Sequence, residues 1–312
     1  MKRSPVVLLT VAVVLSPGWP SEIRGQGRSE LPGDSIRLDG RTRTYWLYAP
    51  PMPPPAPGLL LVLHGGGGDA ERIRLLTDRR AEEEADRHGF LVVYPDGFDH
   101  GWNGCGRSWP QRANVDNVDD VRFLRVLVNR IVESRGVDPS RVWALGFSNG
   151  GHLALRLALE APDDFRAVAA VAASLPTEEE LDCVPSGRPA SVMIINGTAD
   201  PINPYDGGEV RTEKTGRSGV VRSSMESARY FAALNGSPDE PELTLASSSA
   251  GSRIDLARWT GPTGHEVVLV TVQGAGHSIP GSTAPFPAQV GPVDRGFDAV
   301  AAAVDFFRRV SD

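Results

Sequence analysis

The sequence predicts an α/β fold with a doubly wound, mostly parallel sheet and helices on both faces. Short runs of consecutive apolar residues recur along the chain, as at 59–63 and 142–147, and such runs are typical of strands buried on both faces. Segments with apolar residues at helical spacing separate these runs, as at 117–133. Alternation of strands and helices is the pattern of a doubly wound sheet.

The individual elements follow from the same patterns. Apolar and polar residues alternate on either side of Asp39-Gly40, which indicates a β-hairpin over 35–48. The segment 203–259 is less regular and rich in Ser, Gly and Pro, and we expect a small cap-like insertion there rather than a second domain. The later strands are expected at 59–63, 90–94, 142–147, 167–172, 191–195 and 266–272, and the helices at 75–88, 117–133, 152–160, 224–234 and 297–307.

The first residues have the composition of an export signal. Lys2 and Arg3 precede an apolar run at 6–15 that is too short to span a bilayer but fits a secretory signal peptide. We therefore predict a signal peptide at about 1–26, a secreted (extracellular or periplasmic) protein and a single catalytic domain at 27–312. An uncleaved anchor is the alternative, and no stable membrane insertion is expected after cleavage. The net charge of −7 argues against nucleic acid as a partner.

The chain has two cysteines, Cys105 and Cys183, which lie 78 residues apart. In an exported protein, a pair of cysteines favours a disulfide over reactive thiols. Closing a loop of this length would stabilise the fold by about 4–5 kcal/mol in the chain-entropy model. Two independent free cysteines are the alternative.

Ser148 stands at the junction between a predicted strand and a predicted helix. Gly146 and Gly150 flank it in a G-x-S-x-G pattern, which is typical of a nucleophile elbow. Glycines at these positions let the strand and the helix approach closely while the hydroxyl points outward. The alternative is an ordinary Gly/Ser turn, because both residues are common.

A serine hydroxyl needs a base, and the base needs a carboxylate to orient it. His64 belongs to the glycine-rich loop, whereas His277 lies in a loop that follows a later strand. Asp200 lies in the loop directly after the strand at 191–195. Asp206 is the fallback acid. The order Ser148, Asp200, His277 is the order that α/β-hydrolases use, so we predict an α/β-hydrolase fold with these three residues as catalytic groups.

The glycine-rich loop at 64–68 follows a strand directly. We interpret it as an oxyanion loop, in which the backbone N–H of Gly66, together with that of Asn149 after the serine, stabilises a developing negative charge. The alternative is a dinucleotide-binding loop, because 65–70 fits G-x-G-x-x-A, but the acidic residue expected about 20 positions later is poorly matched. A later loop at 98–114 contains Trp102 and Trp109. We expect these two side chains either to line a cleft or to pack onto the surface.

Several motifs together resemble the extracellular esterases that include polyhydroxybutyrate depolymerases and feruloyl and acetyl-xylan esterases. The resemblance extends from about 36 to 307 and implies Ser148 as nucleophile, Asp200 as acid and His277 as base. A bridge between Cys105 and Cys183 also fits this group. The motifs are L-H-G-G-G-G at 63–68, Y-P-D-G at 94–97, W-N-G-C at 102–105, V-D-D-V at 118–121, G-F-S-N-G-G at 146–151, N-G-T-A-D at 196–200, P-Y-D-G-G at 204–208 and G-A-G-H at 274–277.

Two departures from the group affect the expected specificity. Ile279 stands where members often have a tryptophan, so we expect a different wall of the substrate pocket, which Trp102 would also line. Cysteines that members often have near Ser237 and Pro262 are absent.

The sequence thus predicts a secreted serine esterase that acts through an acyl-enzyme on small or polymeric esters, such as polyester or plant polysaccharide, and needs no metal or organic cofactor. One alternative is a non-catalytic protein of the same fold that binds polymer or glycan through Trp102 and Trp109. A nucleotide-dependent oxidoreductase that uses the loop at 65–70 is another.

Overall fold

The computed structural model describes residues 33–212, 216–247 and 252–311. The predicted signal peptide at 1–26 lies outside these residues. Within them, no helix combines the length and the apolar character needed to cross a bilayer.

The described chain contains twelve strands and seven α-helices, and ten of the strands form one sheet. The strands are β1 (Gly33–Leu38), β2 (Arg41–Tyr48), β3 (Gly58–Leu63), β4 (Phe90–Pro95), β5 (Val142–Phe147), β6 (Ala167–Val171), β7 (Ser191–Gly197), β8 (Gly208–Thr212), β9 (Gly216–Val221), β10 (Glu242–Ser247), β11 (Arg253–Thr260) and β12 (Glu266–Val272). The helices are α1 (Ala70–Leu76), α2 (Arg80–His88), α3 (Arg112–Val115), α4 (Asp120–Arg135), α5 (Asn149–Glu160), α6 (Ser224–Leu234) and α7 (Ala299–Arg309).

The strand order in the sheet is β1-β2-β4-β3-β5-β6-β7-β12-β11-β10. The six central strands, from β4 to β12, are parallel, and an antiparallel pair extends the sheet at each side. Every residue of β3, β4, β5, β6, β7 and β12 is buried, which explains why each was visible as a continuous apolar run. The predicted fold class is confirmed.

Helices cover both faces of this sheet, so that two apolar cores form. Alternate residues of β3 point to opposite sides: Leu59, Leu61 and Leu63 join the core under α4, α5 and α6, while Leu60 and Val62 join the core under α1, α2 and α7. The sheet is therefore doubly wound, and the carboxyl ends of its parallel strands form one edge at which loops converge.

The single helix predicted at 75–88 is wrong, because the chain forms two helices, α1 and α2. Between them, Asp78 and Arg79 adopt positive φ angles of 50° and 59°. The Asp78 carboxylate accepts hydrogen bonds from the N–H and the hydroxyl of Thr283, at 2.6 and 2.9 Å. These hydrogen bonds hold the turn between the two helices against a loop more than 200 residues away. Helical periodicity alone does not reveal such a distant contact.

The cap-like insertion predicted at 203–259 also needs correction. Among the described residues, the hairpin β8–β9 alone lies outside the main sheet. Helix α6 packs on β7 and β12, and β10 and β11 pair antiparallel at the end of the sheet. Strand β11 buries Ile254, Ala257 and Trp259 but leaves other positions exposed, so it lacks the continuous apolar run of a central strand.

The predicted disulfide is present. Cys105 and Cys183 are bonded, with their Cα atoms 5.2 Å apart, and the disulfide closes a loop across 78 positions. Around it, the N–H of Asp182 donates to the carbonyl of Cys105 at 2.8 Å, and Gly106 pairs with Leu181 in a β-bridge. The bridge therefore joins the loop after β4 to the loop after β6.

We expect the double substitution Cys105→Ala/Cys183→Ala to lower the free energy of unfolding by about 4 kcal/mol, because the unfolded chain regains the entropy of an open loop. Urea unfolding followed by circular dichroism measures this difference. Dithiothreitol should lower the stability of the wild type and leave the double variant unchanged. Equal urea midpoints for the oxidised wild type and the double variant would contradict the expectation.

Candidate active site

Ser148 lies on a sharp turn between β5 and α5. Its backbone has φ 53° and ψ −118°, a conformation that costs free energy for a non-glycine residue. Two hydrogen bonds fix this turn: the N–H of Ser148 donates to the carbonyl of Val171 at 2.8 Å, and its carbonyl accepts from the N–H of His152 at 2.9 Å. The turn holds the hydroxyl outward at the carboxyl edge of the sheet, which is the geometry of a nucleophile elbow.

The flanking glycines are required by the space around the turn. A methyl group on Gly146 would lie 2.0 Å from the carbonyl oxygen of Gly150, and one on Gly150 would lie 2.4 Å from that of Leu63. Both separations are far below van der Waals contact, and both involve backbone atoms that cannot move aside. The glycine pattern read from the sequence therefore reflects the close approach of α5 to β3 and β5.

The structure brings Ser148, His277 and Asp200 together into one chain of hydrogen bonds. His277 Nε2 lies 2.8 Å from Ser148 Oγ, and Nδ1 lies 2.7 Å from Asp200 Oδ2. Nδ1 donates its proton to the carboxylate, so Nε2 presents its lone pair to the serine hydroxyl. This arrangement can take a proton from Ser148 and stabilise the imidazolium that results.

Asp200 is held in place by its own loop. Its second oxygen, Oδ1, accepts from the N–H groups of Ile202 and Asn203, both at 2.8 Å, and its side chain is almost fully buried. The fallback acid Asp206 is exposed instead. Of the two candidate acids, Asp200 is the one in contact with His277.

The glycine loop is braced from three sides. The His64 ring donates from Nδ1 to the carbonyl of Gly65 and accepts the N–H of Gly97 at Nε2, both at 2.8 Å. Trp102 Nε1 donates to the carbonyl of His64 at 2.9 Å, and the N–H of Gly67 donates to the carbonyl of His100 at 2.7 Å. The loop is thus held rigid before any substrate arrives.

The predicted oxyanion donors, Gly66 and Asn149, lie side by side. A methyl group on Gly66 would be 3.7 Å from the Asn149 Cβ. Within the described residues, neither backbone N–H has a hydrogen-bond partner, whereas those of Gly67 and Gly68 are both occupied. Both N–H groups are therefore available to a ligand, which an oxyanion donor must be.

The prediction that Trp102 binds substrate is wrong. Its side chain is 0% exposed, its ring packs on His64 with centroids 4.8 Å apart, and its N–H groups bond to the glycine loop and to Asn149 Oδ1. Trp109 is also buried, against His152 at 4.1 Å between ring centroids. A binding surface made of these two tryptophans is therefore not present, which removes the basis of the non-catalytic alternative.

Ile279 does not form a wall of the open cleft either. It is 3% exposed and belongs to the core that includes Phe147 and Val300. The Phe147 ring also packs on His277, with centroids 5.4 Å apart. Phe286 in turn contacts Phe147 edge-on at 6.2 Å. The sequence does not single out these two rings, because Phe147 belongs to the apolar run of a strand and Phe286 lies in an irregular loop.

Two buried histidines near the site remain uncharged. Burial lowers the pKa of His64 to about 4 and that of His152 to about 3. The His152 ring donates from Nδ1 to the carbonyl of Ser174 at 3.0 Å. Removal of these rings from water penalises their charged forms, so both rings act as neutral packing and hydrogen-bonding groups.

Comparison with known proteins decides the family. Residues 58–220, just over half of the chain, match the family described as alpha/beta hydrolase fold. The chain belongs to the α/β-hydrolase family. Over 97% of its length, the chain is 35% identical to NocK of Nocardia uniformis subsp. tsuyamanensis, a proposed esterase. The match covers 90% of NocK.

Two further relatives extend the comparison. Over 61% of the chain, the identity to feruloyl esterase B of Piromyces equi is 28%, and the match spans 34% of that protein. The solved structure of the acetyl xylan esterase from Aspergillus awamori superposes with a TM-score of 0.55 at 15% identity. The match covers 80% of this chain and 94% of that one, which shows the shared fold. The prediction of an esterase-type α/β-hydrolase is confirmed, and a dinucleotide-binding fold is ruled out.

The buried neutral histidines predict a loss of stability in weak acid. As the pH falls below about 6.5, the unfolded chain takes up protons on His64 and His152 before the folded protein does. Stability is therefore full above pH 6.5 and falls towards pH 4, by about 1.4 kcal/mol per pH unit for each histidine. Urea unfolding between pH 7 and pH 5 measures this slope.

The variant His152→Gln tests the assignment, because it removes one of the two titrating rings. The slope of its unfolding free energy against pH should be smaller than that of the wild type by about 1.4 kcal/mol per pH unit, because one proton fewer is taken up on unfolding. An unchanged slope in this variant would show that His152 does not titrate as its burial requires.

Proposed function

We propose that this protein is a secreted serine esterase that hydrolyses carboxylic esters through an acyl-enzyme. The observation that supports this most directly is the hydrogen-bonded chain from Ser148 Oγ through His277 to Asp200, with distances of 2.8 and 2.7 Å. Its position, beside two free N–H groups at the carboxyl edge of the sheet, suits attack on an ester carbonyl.

In the first half of the reaction, Ser148 Oγ bonds to the ester carbon as its proton passes to His277 Nε2. The carbonyl π electrons move to the oxygen, and the N–H groups of Gly66 and Asn149 stabilise the charge that develops. His277 then gives its proton to the alcohol oxygen as the carbon–oxygen bond breaks. The alcohol leaves, and the acyl group remains on Ser148.

In the second half, water takes the place of the alcohol. His277 Nε2 accepts a proton from the water as its oxygen bonds to the acyl carbon, and the same two N–H groups stabilise the second oxyanion. The proton returns to Ser148 Oγ as the acid leaves. Asp200 keeps the His277 ring in one tautomer throughout and offsets its positive charge.

The proposed substrates include feruloyl esters and acetylated xylan, which the relatives' names state. We add short-chain esters and polyhydroxyalkanoates, which the resemblance of the sequence implies. The apolar ring of Phe147 packs on His277, and Phe286 contacts Phe147 in turn, so the surroundings of the base suit an uncharged acyl group. Release from the cell is supported by the signal-like residues 1–26 and by the disulfide, which persists in oxidising compartments.

Ser148→Ala should lower kcat by at least about 10⁴-fold, because the nucleophile is lost. The assay uses the protein from residue 27 with p-nitrophenyl acetate, butyrate and octanoate and with methyl ferulate. The preferred ester identifies the acyl group that the site accepts. Wild-type turnover that persists in Ser148→Ala would overturn the proposed function.

Asp200→Asn and Asp206→Asn form a matched pair, since each replaces a carboxylate by an amide in the same loop. Asp200→Asn should lower kcat by roughly 10³–10⁴-fold, because an amide favours the wrong tautomer of His277. Asp206→Asn should keep wild-type kcat, since its side chain is exposed. Equal effects of the two substitutions on kcat would contradict the assignment of the acid.

A further inference from the structure

Gln111 lies over the glycine loop, just before helix α3. A methyl group on Gly66 would lie 3.9 Å from Gln111 Nε2, and one on Gly101 would lie 3.3 Å from the Gln111 Cβ. The side chain is half-buried. Its carboxamide therefore borders Gly66, the predicted oxyanion donor that itself lies beside Asn149.

The carboxamide of Gln111 is not used by the fold. Its Oε1 atom is buried without a hydrogen-bond partner, and Nε2 has no partner among the described residues. Although Gln111 occupies the position that caps α3, its side chain makes no capping hydrogen bond. A buried polar group without a partner is costly, and its presence calls for an explanation.

Asn149, the other carboxamide at this place, is fully engaged. Its Oδ1 accepts the N–H of Trp102 at 2.7 Å, and its Nδ2 donates to the Trp102 carbonyl at 3.0 Å. A methyl group on Gly101 would lie 3.6 Å from this Oδ1, so the two carboxamides are neighbours. Gln111 is the one whose N–H groups remain available to a substrate.

We propose that Gln111 is a third oxyanion donor, with an Nε2–H that bonds to the ester oxygen as it becomes negative. This inference rests on the proposed esterase function, and it adds a residue to that site. The donor acts together with the N–H groups of Gly66 and Asn149. Because the bond strengthens as charge develops, it stabilises the transition state more than the bound ester and raises kcat rather than lowering KM.

The test compares Gln111→Met and Gln111→Glu with the wild type. Methionine keeps the length of the side chain without a donor, and glutamate keeps its shape but offers oxygen atoms only. Each variant is assayed with p-nitrophenyl butyrate and with its thiono analogue, in which sulfur replaces the carbonyl oxygen. Sulfur accepts hydrogen bonds weakly, so a donor to this atom assists the thiono ester much less.

For Gln111→Met, kcat on the oxygen ester should fall by about 10²-fold with KM nearly unchanged, and the loss on the thiono ester should be much smaller, so that the oxygen-to-sulfur ratio of kcat falls. In Gln111→Glu the carboxylate also repels the developing charge, so kcat on the oxygen ester should fall further than in Gln111→Met. The control is Arg112→Met, at the next position, where the side chain is exposed and pairs with Asp116 at the surface. This control should keep the wild-type kcat and ratio.

Two results for Gln111→Met would overturn the proposal: an unchanged kcat on the oxygen ester, or equal losses on both esters, which would indicate a general disturbance of the loop. Because the ratio is measured within one protein sample, partial unfolding of a variant cancels from it. Failure of the esterase function is recognised separately, by turnover that persists in Ser148→Ala.

Discussion

The close approach of helix α5 to strands β3 and β5 is the constraint on which the rest of the site depends. It leaves no room for a side chain at Gly146 or Gly150, and it forces Ser148 into a backbone conformation with positive φ. Hydrogen bonds to Val171 and His152 hold that conformation. The hydroxyl and the N–H of Asn149 consequently emerge at fixed positions on the edge of the sheet.

Polar contacts connect this turn to the glycine loop. Trp102 joins the two, because its backbone bonds twice to the Asn149 carboxamide while its indole N–H bonds to the His64 carbonyl. His64 then fixes the loop through Gly65 and Gly97. The side chains of His64, Trp102 and Asn149 are buried and neutral, so their hydrogen bonds are made in a low-dielectric interior. In the proposed reaction, donors aligned in advance would need no reorganisation.

The central part of the fold was predictable because its signal is local. Strands covered on both faces must be apolar throughout, and all six parallel strands were recognised for that reason. Strands β10 and β11 were missed, because an antiparallel strand at the edge of a sheet needs only one buried face. The break between α1 and α2 was also missed, since the contact of Asp78 with Thr283 joins residues that are distant in sequence.

The sequence by itself determined which residues meet at the site. Ser148, Asp200 and His277 each follow a parallel strand, and parallel strands end at the same edge of a sheet, so their order along the chain was enough. The tertiary structure alone decided which side chains face the substrate. Trp102 and Ile279 were expected in the cleft and are buried, whereas Gln111 borders it. Loop residues have no fixed periodicity, so their burial depends on packing with distant segments.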